Sequence, residues 1–134
     1  MRTGSKHIIV KFDGASRGNP GPAGIGVILE NVRGEVIGKV VNKIGIATNN
    51  QAEYSALIAG IEAALKVGAV SVDIRADSKL VVEQIRGNYK VKEPKLKPLY
   101  QAASRLLSQL KTYTIKWVPR EENSEADKLI DSVL

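Results

Sequence analysis

Four carboxylates, Asp13, Glu53, Asp77 and Asp127, are the residues of this sequence best suited to chemistry. They lie far apart in the chain. Asp13 closes the apolar run 7–12, and Asp77 follows Val72-Asp73-Ile74-Arg75-Ala76. Glu53 and Asp127 each stand about one turn into a segment with helical periodicity. Acids gathered by folding repel one another, so such a cluster persists only where positive charge sits among them. Hard divalent cations held by oxygen ligands are the usual source of that charge. Two such ions side by side can cleave a phosphodiester.

The elements that must carry these acids follow from the hydrophobic pattern. Residues 7–13 read as a strand, and the next nine, 14–22, hold three glycines and two prolines and read as a turn-rich loop. Residues 24–30 form a second strand, Asn31-Val32-Arg33-Gly34 a hairpin turn, and 35–45 a third strand. From 50 to 67 the period changes: Tyr54, Leu57, Ile58, Ile61 and Leu65 recur at three and four, and Gly68 ends that helix. Then come a strand at 70–76, a short helix at 78–86, a helix at 95–111 after Pro94, a strand at 112–118 and a helix from about Ser124. Strands separated by helices require right-handed parallel crossovers. The expectation is one α/β domain over 1–134, with a five-stranded mixed sheet of three antiparallel strands and then two parallel ones, flanked by helices. If the first strand is central and the first parallel strand lies beside it, the crevice at their carboxyl ends is the expected ligand site. Asp13 and Asp77 fall at those two ends.

The bulk composition narrows the partners. Of 134 residues, 43% are hydrophobic and 25% charged, an ordinary balance for a globular domain. No apolar run approaches the roughly 20 residues of a membrane span, and Met1-Arg2-Thr3-Gly4-Ser5-Lys6 leads into the first strand with no secretory apolar region. The chain has no cysteine, which excludes disulfides and thiolate metal sites and fits a cytoplasmic location. A net charge of +6 favours an anionic partner, and nucleic acid is the commonest. Aromatic residues make up only 4%, so base stacking is not the expected main mode of binding.

Each motif also has a purely structural explanation. Asp13-Gly14-Ala15-Ser16-Arg17-Gly18-Asn19-Pro20-Gly21 reads as a glycine-rich turn, or as a surface where small residues admit a substrate backbone to donors on Ser16, Arg17 and Asn19. In Thr48-Asn49-Asn50-Gln51-Ala52-Glu53, an asparagine cap with Glu53 at the third position has the form of a capping box. Asp77-Ser78 and Ser124-Glu125-Ala126-Asp127 are cap-like as well. Against four separate structural roles stands the convergence of the four acids on one sheet edge. Gly24-Ile25-Gly26 opens a strand rather than a helix, which excludes a dinucleotide loop. His7, alone at a strand start, reads as structural. Arg86, Lys90, Lys92, Lys95 and Lys97 form a basic segment, either a solvated face or a tracker of phosphates.

Taken together, the stretch from Asp13 to Pro22, Thr48-Asn49-Asn50-Gln51-Ala52-Glu53, Ala76-Asp77-Ser78 and Trp117-Val118-Pro119-Arg120 with Ala126-Asp127 resemble type 1 ribonuclease H, in order and spacing, over nearly the whole chain. The compact archaeal and bacterial members are most similar, and Asn88-Tyr89-Lys90-Val91-Lys92 has counterparts there. The resemblance implies the ribonuclease H-like fold and endonucleolytic hydrolysis of the RNA strand of an RNA/DNA hybrid, leaving 5′-phosphate and 3′-hydroxyl ends. It implies two Mg²⁺ or Mn²⁺ ions about 4 Å apart. Asp13 would bridge them, Asp127 would help hold the water-activating ion, and Glu53 and Asp77 would hold the other. Ser16, Asn19 and Asn49 match positions that read the hybrid's minor groove; Thr48 and Asn50 match those that grip sugar and phosphate near the cut. A monomer without an obligate protein partner or a membrane is expected.

The sequence departs from the family in two places. Many members carry a histidine in the loop before the last acid, and here that loop reads Arg120-Glu121-Glu122-Asn123. Arg120 by its charge, or Glu121 or Glu122 by approaching the metals, are the candidates to replace it. The long basic protrusion of some bacterial members is reduced to residues 86–97. Alternatives are a nuclease on the same fold acting on double-stranded RNA or branched DNA, or a catalytically weak hybrid-binding module. A phosphorylated-metabolite binder is disfavoured because no P-loop precedes a helix.

Overall fold

The computed structural model describes residues 6–134; the expectation about residues 1–5 of the N-terminus lies outside the described residues. The strands are β1 (His7–Ser16), β2 (Gly21–Glu30), β3 (Val36–Ala47), β4 (Ser71–Ala76) and β5 (Thr112–Trp117). The helices are α1 (Asn49–Lys66), α2 (Lys79–Ile85), α3 (Lys97–Leu107) and α4 (Ser124–Asp131), with a 3-10 turn at Arg120–Asn123. The sheet order is β3-β2-β1-β4-β5. β1 pairs antiparallel with β2 and parallel with β4, and β4 pairs parallel with β5. The expected mixed sheet with the first strand at its centre is therefore present.

Alternation sorts the two faces of the sheet. In β1, Ile8, Val10 and Phe12 are buried, and in β4 so are Val72, Ile74 and Ala76. They form one core with Tyr54, Leu57 and Ile61 of α1. Fully burying a side chain of this size contributes about 1.5–3 kcal/mol, so this face sets the position of α1 over β1. β2 is buried along almost its whole length because both of its faces are covered, by α1 and by α4. That explains a strand read from a continuous apolar run rather than from alternation.

The chain between Asp13 and Pro22 differs from the sequence expectation. β1 runs on to Ser16 and β2 begins at Gly21, so only residues 17–20 form the connection. Strand pairing outweighs the local turn signal: Gly14 pairs with Ile25 and Ser16 with Ala23. Gly14 is needed for close approach. A Cβ there would lie 2.2 Å from the Ala52 carbonyl carbon and oxygen of α1. Gly26 does the same for α4, since its Cβ would sit 2.3 Å from the Ala126 oxygen. Two helices that carry acids are thus allowed down onto the strands at two glycines.

Candidate active site

The β1–β4 ladder ends at the pair Phe12 and Ala76, so Asp13 and Asp77 are the next residues on two adjacent parallel strands. Strand spacing of about 4.8 Å brings two such positions side by side. Glu53 comes from the second turn of α1, beside Gly14, whose N–H donates to Glu53 Oε1 at 3.0 Å. Carboxylate oxygens of Asp13, Glu53 and Asp77 all lie within 4.8 Å of one another. Asp127 enters from α4 and stands close enough to Asp13 to add to its proton affinity.

The structure assigns the capping roles to neighbours of the acids. Thr48, not an asparagine, caps α1: its Oγ1 accepts from Gln51 N at 3.1 Å, and Gln51 Oε1 accepts from Thr48 N at 2.8 Å. Gln51 completes that capping box, which corrects the expectation that placed Glu53 in it. Ser78 caps α2 by accepting from Val81 N at 3.3 Å. α4 begins without a side-chain cap, so Asp127 does not reach back either. All four acids are released from the local roles that the sequence also permitted.

Their electrostatics are those of a site short of positive charge. Burial pushes the Asp13 carboxyl up to about 9, and Glu53, Asp77 and Asp127 push in the same direction. Burial raises Glu53 to about 8, with Asp77 adding to it and the Gly14 N–H opposing it. Asp77 is raised by burial and held down by Arg120, whose Nε lies 3.9 Å from Asp77 Oδ2. The Arg120 side chain is 78% exposed, so that partner is weak. Asp77 Oδ2 is buried and accepts no hydrogen bond. Oxygen donors only, mutual repulsion and an orphaned buried carboxylate oxygen are the features a hard divalent cation would satisfy, and this acid cluster could bind one.

The other sequence candidates divide into three groups. Ser16, Asn19 and Asn49 come together: Asn49 Oδ1 accepts from Ser16 N at 2.8 Å and from Ser16 Oγ at 3.1 Å, and Asn19 Oδ1 accepts from Asn49 N at 2.9 Å. Ser16 Oγ also donates to the Gly18 carbonyl. Thr48 and Asn50 line a neighbouring groove of about 390 Å³ with Lys90, Lys92 and Lys95. Glu121 and Glu122 are exposed on the 3-10 turn, and among the described residues their side chains make no hydrogen bond or ion pair. The structure brings Arg120 to the acids but gives Glu121 no such contact. His7 sits at the other end of β1, its Nδ1 2.7 Å from Ser71 Oγ, as a structural histidine would.

Asn123 is the residue the sequence reading passed over. It is 1% exposed, and its Nδ2 donates to the Phe12 carbonyl at 2.7 Å. It also lowers the proton affinity of Asp77. It thereby ties the strand that carries Asp13 to the turn that leads into the helix of Asp127. The available signal was its place four residues before Asp127, the spacing of one helical turn. The indole of Trp117 adds a further strut, donating from Nε1 to the Asp77 carbonyl at 3.2 Å.

Residues 11–133 match a family model described as reverse transcriptase-like. Ribonuclease HI of Halobacterium salinarum is 44% identical over 92% of this chain and 62% of its own length. Bifunctional protein Rv2228c of Mycobacterium tuberculosis is 45% identical over 95% of this chain but only 35% of its own length. The chain thus spans about a third of the mycobacterial relatives and under two-thirds of the haloarchaeal one. It spans 86% of Ribonuclease H of Rhodopseudomonas palustris, at 33% identity over 92% of this chain. Among solved structures, the N-terminal RNase H domain of Rv2228c superposes with a TM-score of 0.93 at 46% identity, covering 96% of this chain and 93% of that one. LC11-RNase H1 in complex with RNA/DNA hybrid gives 0.89 at 39%, covering 93% and 94%.

Proposed function

This chain belongs to the ribonuclease H family, and we propose that it hydrolyses the RNA strand of RNA/DNA hybrids, endonucleolytically and with two Mg²⁺ or Mn²⁺ ions. The observation that carries the reading is the cluster of Asp13, Glu53 and Asp77, whose oxygens converge within 4.8 Å at the mouth of the β1–β4 crevice. A relative of 39% identity has been solved with an RNA/DNA hybrid bound, which supports the choice of substrate.

Asp13, Glu53 and Asp77 would hold the metal, and Asp127 would complete its ligand set. When bound, a pair of such ions activates water and stabilises the leaving 3′-oxygen. The protein's own residues set up that reaction. Burial raises the proton affinity of Asp13, and Asp77 Oδ2 has no hydrogen bond within the fold, so a cation would meet no internal donor competing for that oxygen. The Gly14 N–H fixes Glu53, and Asn123 fixes the β1 end that bears Asp13. Asn49 and Asn19 have their Oδ1 atoms occupied by backbone N–H groups. Both residues are exposed, and among the described residues their Nδ2 groups make no hydrogen bond, which leaves them available as donors to the acceptors of a hybrid's minor groove. Contact with the 2′-hydroxyl is what would distinguish the RNA strand from DNA. Arg120, beside Asp77, is the candidate for the part played elsewhere by a loop histidine.

The test compares an RNA/DNA hybrid, double-stranded RNA, branched DNA and single strands of the same sequence, with Mg²⁺ and with EDTA. Cutting of the RNA strand of the hybrid alone, and only with metal, is expected. Preferential cutting of double-stranded RNA or branched DNA would replace the substrate assignment. Binding of the hybrid without cleavage would reduce the chain to a binding module.

A further inference from the structure

A second polar network lies in the core away from the acids, and the reaction has no evident use for it. Tyr54 is the residue after Glu53 on α1 and is completely buried. Its hydroxyl donates to Gln84 Oε1 at 2.7 Å, and Gln84, on α2, is 4% exposed. Gln84 Nε2 in turn donates to the Lys90 carbonyl at 3.3 Å. The polarity of this chain is unambiguous. A carbonyl can only accept, so the amide nitrogen faces Lys90 and the amide oxygen is left for the phenol. Burial pushes the Tyr54 phenol up, so it remains a donor. Two apolar side chains of the same shape would cost the core little, or would suit it better. The polar pair therefore calls for a reason other than core stability.

That reason lies in what Lys90 belongs to. After α2 the chain turns at Gly87, with φ +84°, and is caught at once by Asn88 N and Tyr89 N on the Glu83 carbonyl. It is caught again at Leu96, buried to 3%, whose N–H donates to the Glu93 carbonyl. Between these anchors runs a strap without regular structure that carries Lys90, Lys92 and Lys95 along the groove shared with Thr48 and Asn50. Among the described residues, the Gln84 amide makes the only hydrogen bond from residues 90–92 to the body of the fold. The far end of the same amide is fixed to the helix that positions Glu53.

We propose that Gln84 is a positioning residue: by holding the Lys90 carbonyl against α1 through Tyr54, it sets the lysine strap at the height where it meets the substrate's phosphates. This inference rests on the hybrid-nuclease reading for its substrate, though not for its geometry. The strap acts on binding, and the acids act on the chemical step. Removing the anchor therefore separates KM from kcat.

The experiment uses Gln84→Met, Tyr54→Phe and the double variant Tyr54→Phe/Gln84→Met in the full chain. For Gln84→Met, KM for the hybrid rises roughly five- to tenfold with kcat little changed, and the slope of log KM against log salt flattens by about 0.9, one phosphate contact's worth. Backbone NMR order parameters at Val91 and Lys92 fall while those of α1 do not. Tyr54→Phe, which keeps the bond to Lys90, has the smaller effect on KM. The double variant melts closer to wild type than the two single changes added together, because neither the Tyr54 hydroxyl nor the Gln84 amide oxygen is left unpaired in the core, yet its KM stays high. A melting shift with unchanged KM, salt slope and order parameters at 91–92 would overturn the proposal and leave Gln84 a core residue only. If Gln84→Met does not fold, Gln84→Asn, one methylene too short to span both partners, poses the same question. If the wild type fails to cut the hybrid, the substrate reading fails, and the order parameters at 91–92 still decide the anchor.

Discussion

The two ends of the β1–β4 pair treat their polar groups in opposite ways. At the amino end His7 meets Ser71 Oγ, and Lys6 Nζ donates to the Val67 carbonyl at 2.6 Å. At the carboxyl end Asp13, Glu53 and Asp77 share a small volume, Glu53 and Asp77 raise the proton affinity of Asp13, and Asp77 Oδ2 accepts no hydrogen bond. Both ends are built on the same two strands, with the same register and the same core beneath. A polar group kept for structure is satisfied within the fold, because an orphaned one costs about 1–3 kcal/mol. A cluster left short of charge is sustained by something the fold itself does not supply. The difference is what singles out the carboxyl end as the proposed site, without reference to any relative.

The comparison breaks most visibly through substitution at each end. Asp77→Asn is expected to lower hybrid cleavage by more than about a hundredfold, since even partners behind a metal ligand are worth 10–100-fold. Its far-ultraviolet circular dichroism should be unchanged, and the metal-free protein should melt no lower than wild type because a repelling charge has gone. His7→Ala should leave kcat and KM unaltered. A His7→Ala protein as impaired as Asp77→Asn would erase the contrast between the ends.

Asn123→Leu tests what holds the carboxyl end together. It leaves the Phe12 carbonyl buried without a donor, and urea titration should show a loss of about 1–3 kcal/mol. Calorimetry should also show weaker Mg²⁺ uptake than in wild type. A loss of stability with full metal affinity would restrict Asn123 to the fold.

The pH dependence sharpens the comparison further. Asp13 and Glu53 bind protons in the folded state up to about 9 and about 8, against ordinary values of 3.8 and 4.5 in the unfolded chain. Through that interval the folded state holds more protons than the unfolded one, so stability falls as pH rises. The stabilisation is complete below the unfolded values and is lost as pH passes the folded ones. Metal-free protein should therefore melt progressively lower from about pH 5 to pH 9, and added Mg²⁺ should remove most of that slope. A melting temperature that climbs with pH over this range in EDTA would contradict the electrostatics of the site.

The smallest effects belong to the loop. Arg120 is exposed and 3.9 Å from Asp77, and an exposed ion pair is worth about 0–1 kcal/mol. Arg120→Ala should slow turnover by no more than about fivefold, and Glu121→Ala should have less effect still. Single-turnover kinetics on the hybrid would show it; identical rates in both variants would leave the loop without a catalytic part.

Much of this architecture could be read from short-range patterns. The apolar period of three and four from Tyr54 to Leu65 gave α1, and Asn31 to Gly34 gave the hairpin turn, where Asn31 Oδ1 accepts from Arg33 N and Glu35 N. The four acids could be named because their residue types and their places at the ends of elements are properties of the chain. Boundaries near Gly14 could not, since the glycine signal for a turn is local while the pairing of Gly14 with Ile25 is not. In the same way Glu53 looked like a capping acid until Gln51 was seen to close the box.

The amino-acid order by itself determined which residues were available for chemistry and on which kind of element each would stand, because strand and helix periods are written over a few neighbouring positions. Tertiary structure alone decided which acids were spared from capping, where two glycines let helices settle on strands, and that Asn123 and Gln84 serve as ties. The Asn123 bond to Phe12 joins residues 111 apart, and the Tyr54 bond to Gln84 spans 30. Contacts of that reach exist only once the core has packed, and no pattern confined to a single turn or strand encodes them.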